Sequence, residues 1–110
     1  MNPQHKELAA GRWSRFSFLE QMANIGSETE RALNWRAKQN LDYSQKAFER
    51  ALELIDLTLD DVRDAARLKE LARAREALVD FFMGHNEFGS TETSWKNYFL
   101  SFAYAARRQT

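Results

Sequence analysis

Residues 17–38 read SFLEQMANIGSETERALNWRAK, and the way this stretch repeats decides the fold. Ser17 and Glu20 have the spacing of a capping box, in which the serine side chain accepts from the third backbone N–H while the glutamate reaches back. Phe18, Met22, Ile25, Thr29, Ala32 and Leu33 then recur mostly at threes and fours, the period of one helix face turned toward a core. Gly26 interrupts the stretch, and Ser27 with Glu30 offers a second capping box at which a helix could restart. The apolar stripe keeps its phase across Gly26, however. The spacing therefore predicts one continuous helix whose missing side chain admits a close neighbour, at a propensity cost of about 1 kcal/mol relative to Ala.

Working outward toward the C-terminus, Gln39, Asn40 and Leu41 make a short connection. Asp42 with Gln45 then caps a second helix with the inner stripe Phe48, Ala51, Leu52 and Ile55, expected to end near Leu57. A third helix is expected over 59–83, with Asp60, Asp61 and Asp64 near its positive dipole end. Its stripe is Leu68, Leu71, Ala72, Leu78, Val79 and Phe82, and Gly84 stops it. The segment from Gly84 to Ser90 reads as a loop whose Phe88 plugs the bundle end, and Ser90 or Thr91 caps a last helix over 92–108. With one proline and four glycines in 110 residues, turn signals are too sparse for a β fold. The expected architecture is all-α: an antiparallel four-helix bundle over residues 17–110, with residues 1–16 as an N-terminal arm or short extra helix packed on it, together a single domain.

Composition narrows the function classes. Hydrophobic residues make up 44% and charged residues 29%, and sixteen Lys plus Arg balance sixteen Asp plus Glu. A chain of this size buries roughly two-thirds of its unfolded surface and needs no staple. With no cysteine, disulfides, thiolate zinc sites and thiol catalysis are excluded. No apolar run approaches the roughly 20 residues that cross a bilayer, and no basic amphipathic helix suggests a membrane surface. Met1 to Trp13 lacks the apolar core of a secretion signal, so a cytoplasmic location is expected.

Glu49, Glu53 and Asp56 on the second helix, with Glu76 and Asp80 on the third, could converge on magnesium through oxygen ligands. All-α nucleotide pyrophosphatases resemble this in outline, and the resemblance implies a magnesium-dependent nucleotide hydrolase. Of their paired Glu-x-x-Glu and Glu-x-x-Asp pattern, only Glu53-x-x-Asp56 is present here, and Arg50, Arg73 and Arg75 offer salt-bridge partners instead. Arg75 itself falls on the apolar stripe between Ala72 and Leu78. There it is either an ion pair with Glu28, Glu49 or Glu53 or an anion-binding arginine in a cleft. His85, Asn86 and Glu87 sit together in the loop, where function concentrates, but they belong to no recognised nucleophile or zinc motif. Nucleic-acid binding would draw on Arg12 and Arg15 with Trp13 and Phe16, then Arg63, Arg67, Lys69 and Arg73, and finally Arg107 and Arg108; none is a dense patch, and the zero net charge argues against it.

The last helix carries the strongest functional signal. Trp95, Tyr98, Phe99, Phe102, Ala105 and Ala106 form one face, and Leu100, Ala103 and Tyr104 widen it almost around the helix. A small bundle encloses none of its members completely. The runs Asn24-Ile25-Gly26-Ser27-Glu28, Ala47 to Leu57 and Glu87-Phe88-Gly89-Ser90-Thr91 resemble those of short uncharacterised bacterial all-helical proteins. That resemblance implies a bacterial, helical domain and leaves activity open. The expectation is a non-enzymatic interaction protein, either a homo-oligomer or a small accessory subunit of a larger complex, with no cofactor and with Trp13, Phe16, Trp95, Tyr98, Phe102 and Tyr104 as contact residues. An RNA- or DNA-binding accessory protein is the alternative, and the nucleotide hydrolase a second one.

Overall fold

A computed structural model describes residues 11–108. One 3-10 turn, Trp13–Arg15, precedes four helices: α1 Phe18–Ala37, α2 Leu41–Asp61, α3 Ala65–Met83 and α4 Glu92–Arg108. There is no strand among the described residues. Residues 1–10 of the expected arm and the last two residues lie outside the described residues.

Cross-helix contacts fix an up-down-up-down order. Ser44 near the start of α2 donates to the carbonyl of Ala32 late in α1 (2.9 Å), while Gln21 at the other end meets Asp61 (3.2 Å). The Phe82 ring stacks on Phe48 (4.7 Å between centroids) and Arg75 reaches Asp56, so α3 runs back along α2. The Phe18 and Phe102 rings meet edge-on at 6.3 Å, which sets α4 antiparallel to α1. Met22, Ile25, Leu33, Phe48, Ile55, Leu71 and Leu78 are essentially inaccessible and form the core between these helices.

The capping box at Ser17 forms in both directions, and α1 runs unbroken through Gly26. An ideal Cβ on Gly26 would lie 2.6 Å from Phe99 Cβ, so α4 approaches α1 through the space that glycine leaves. Any side chain there would have to displace the buried Phe99.

The boundary between the second and third helices differs from expectation. α2 continues to Asp61, three non-helical residues follow, and α3 starts at Ala65 behind Asp64, whose side chain accepts from the N–H of Ala66. Thr58, at the expected break, is buried inside α2, and its hydroxyl donates to the carbonyl of Leu54 (2.8 Å). It also accepts from the indole N–H of Trp13 (2.9 Å), a partner 45 residues away. The cap of α2 is Asn40, which accepts from the N–H of Tyr43, rather than Asp42. Gln39, at φ 64, turns the chain so that Asn40 reaches this position.

Trp13 is held by hydrogen bonds from both its indole and its backbone. Its indole meets Thr58, and its carbonyl accepts from Gln21 Nε2 (3.0 Å), which also donates to Asp61 (3.2 Å). Gln21, Thr58 and Trp13 are all buried, so the network satisfies its donors without water.

Candidate functional site

α4 is seated on α1, and α3 is seated on α2. Between α3 and α4 the bundle stays open, leaving a groove of about 910 Å³. Along the α3 wall Ala66, Ala74 and Ala77 present only methyl groups, and Trp95 of α4 and Phe88 of the loop add rings. Small side chains on the wall leave a trough because α4 is already held on α1 and does not close onto them.

One hydrogen bond crosses the groove, from the Tyr98 hydroxyl to Glu70 (3.1 Å). Burial, and then the neighbouring Glu70 carboxylate, push the Tyr98 hydroxyl well above the usual phenol range, so it stays a donor to that carboxylate. Lys69 and Arg73, four residues apart on α3, also line the groove. Neither has an ion-pair partner among the described residues. Glu76 lines it further along α3.

The loop that follows α3 is held by its own hydrogen bonds. The Asp80 carboxylate accepts from the N–H groups of Glu87 (2.9 Å) and Phe88 (3.0 Å), and its carbonyl accepts from Gly84 and Asn86. The Asn86 side chain closes a ring with Ser90, donating to its carbonyl and accepting from its N–H, both at 2.8 Å. Thr91 and Ser94 exchange side-chain and backbone hydrogen bonds at the start of α4, so Thr91 serves as its cap. This framework holds Phe88 outward at 64% exposure, at the groove rather than plugging the bundle end. His85 is exposed in the same loop.

The expected contact residues separate into two groups. Trp13 and Trp95 are buried in the core of their own chain, and Tyr98 and Phe102 are half-buried against it. Phe16 is at the surface, its ring edge-on to Trp13, and Tyr104 and Leu100 are 62% and 60% exposed. The exposed apolar surface of α4 is thus narrower than its ring count suggests, because Phe99 and Trp95 share the side facing α1. The indole N–H of Trp95, unlike that of Trp13, has no acceptor.

Arg75 is half-exposed and pairs with Asp56 on α2 (2.8 Å), not with Glu28, Glu49 or Glu53. Glu28 is taken by Arg50 and Arg31. Of the five carboxylates named as magnesium ligands, Asp56 is paired with Arg75, Asp80 holds the loop and Glu49 accepts from Gln45 (3.4 Å). Among the described residues no three His, Cys, Asp or Glu side chains come together as a metal ion would need. Arg12, Arg15, Arg107 and Arg108 are gathered at one end of the bundle, which also carries Asp60, Asp61 and Asp64. No described helix is long and apolar enough to cross a membrane. No protein-family model, curated protein or solved structure matches the chain.

Proposed function

We propose that this chain is a non-enzymatic helical interaction protein that works as a homo-oligomer or as a small accessory subunit of a larger assembly. One observation carries the reading: the groove between α3 and α4 has an apolar lining, including Trp95 and the exposed Phe88, and its own chain does not fill it. Covering such a surface stabilises a complex by about 25 cal/mol per Å² of apolar area, and a charged rim selects the partner. Leu100 and Tyr104 are exposed apolar side chains of α4 that lie apart from the groove lining.

Mutation of the groove provides the test. The natively folded chain is expected to enhance the fluorescence of a dye that binds exposed apolar surface, and Ala77→Trp, which fills the groove from the α3 wall, is expected to remove most of that signal. Light scattering over a range of concentrations then separates self-association from a monomer that awaits a partner. A folded monomer that binds no dye would overturn the reading.

A further inference from the structure

Burial along the chain singles out α3. Seven residues of α1 and seven of α2 are buried, whereas α3, 19 residues long, buries Leu71, Ala74 and Leu78. α4 buries Trp95 and Phe99, yet it is interlocked with α1: Phe99 fills the space at Gly26, and the two backbones run close together. α3 has no such seat. Its backbone comes close to α2 at few positions, and where Phe82 stacks on Phe48 the two helices meet through their rings.

The polar ties follow the same division. α1 and α2 are joined by buried hydrogen bonds, from Ser44 to the Ala32 carbonyl and through Trp13, which meets both Thr58 and Gln21. The ties of α3 are at the surface. Arg75 pairs with Asp56, and Tyr98 donates to Glu70. Arg67 lies over the Phe18 ring near one end of α3 (4.7 Å), and Arg36 lies against the Phe81 ring near the other (4.5 Å). Exposed contacts of this kind each contribute little, and they break and re-form without stranding a buried polar group. Both ends of α3 also have a place to bend. Residues 62–64 are non-helical. At the other end Asp80 ties the following loop to α3 itself, Asn86 closes a ring with Ser90, and the separate Thr91–Ser94 cap belongs to α4, so the junction falls between Ser90 and Thr91. We infer that α3 with its trailing loop is a strap that lifts off α2 as one unit while α1, α2 and α4 stay packed, which makes the α3 wall of the groove a movable one. Lifting needs no occupant in the groove, and it uncovers Leu71, Leu78 and the Phe48 ring of α2.

Amide hydrogen exchange of the full chain under native conditions, read residue by residue against the rates of an unstructured peptide, is the test. Most helical stability in proteins comes from packing of the apolar face, so a detached α3 is only partly formed and its amides exchange. Amides between Leu71 and Leu78 are expected to exchange at least tenfold faster than those around Ile25, Ile55 and Phe99. Thr58→Val removes the acceptor of Trp13, a contact that the seated and the lifted states both keep. It should therefore speed exchange in the cores of α1 and α2 about fivefold, the factor that a lost buried hydrogen bond of this kind carries, and leave the α3 rates unchanged. Equal rates in α3, α1 and α2 would overturn the inference. So would an α3 that speeds up together with α1 and α2 in Thr58→Val, or an α4 that exchanges in step with α3.

Discussion

The two sides of α4 solve opposite problems. On the α1 side, the absent side chain of Gly26 lets Phe99 descend until the two helices are in full contact. On the α3 side, the small side chains of Ala66, Ala74 and Ala77 face α4 across open space bridged by the Tyr98–Glu70 hydrogen bond. Small residues alone therefore do not bring helices together. They permit approach, and the helix goes where the larger apolar stripe is. The two buried tryptophans mark the same contrast: the Trp13 indole finds Thr58, whereas the Trp95 indole, bordering the groove, finds no acceptor. An unsatisfied buried donor costs about 1–3 kcal/mol, a cost the fold carries at Trp95 and not at Trp13.

The comparison breaks most readily at its closed side. Phe99→Ala is expected to cost about 3–5 kcal/mol, read as a lower denaturant midpoint, because it empties the seam between α1 and α4. Gly26→Ala should cost about 1–3 kcal/mol despite the better helix propensity of Ala, since Phe99 must move; a stabilised variant would show that α4 is not seated as described. Thr58→Val keeps the shape and removes the acceptor of Trp13, at about 1–2 kcal/mol in thermal melts, accompanied by a change in tryptophan emission.

The open side should respond weakly. Tyr98→Phe is expected to cost about 0.5–1 kcal/mol at neutral pH. Its signature lies in the pH dependence, because the Tyr98 hydroxyl is raised in the folded state while an unfolded tyrosine titrates near about 10. The stabilisation is fully present below that value and is lost as pH rises from there toward the folded pKa, because the unfolded chain releases its proton first. The stability difference between the wild-type chain and Tyr98→Phe should therefore shrink in alkaline buffer. Ala66→Leu, which enlarges an exposed groove wall, should change stability by no more than about 0.5 kcal/mol. Equal penalties for Ala66→Leu and Gly26→Ala would erase the distinction between the two sides.

What could be read along the chain was whatever neighbouring residues settle among themselves. The Ser17 capping box, the stop at Gly84 and the unbroken phase across Gly26 are local, and each appears in the structure. The end of α2 was illegible because Thr58 reads as a helix-weakening residue until Trp13, far away in sequence, is placed against it. Asn40 and Asp42 are both competent caps two residues apart, and only the left-handed Gln39 selects the first. Arg75 falls on the inner stripe by spacing, yet in the structure it is half-exposed and pairs with Asp56 of α2. In the candidate site, His85 and Glu87 were visible as loop residues, whereas the outward aim of Phe88 depends on Asp80 receiving two loop N–H groups. Lys69 and Arg73 are legible as basic residues beside Arg63 and Arg67, whereas their place in the groove is recognised only when their surroundings are known.

Sequence by itself determined that this chain is helical, where most of its helices begin and stop, and that Gly26 marks a close approach, since hydrogen bonding within a turn and apolar periodicity act over a few residues. Tertiary structure alone decided which rings were spent on the core, which helix filled the space at Gly26 and which pair was left apart. Those outcomes depend on how whole stripes compete for a limited apolar interior, and no short window of residues contains both competitors.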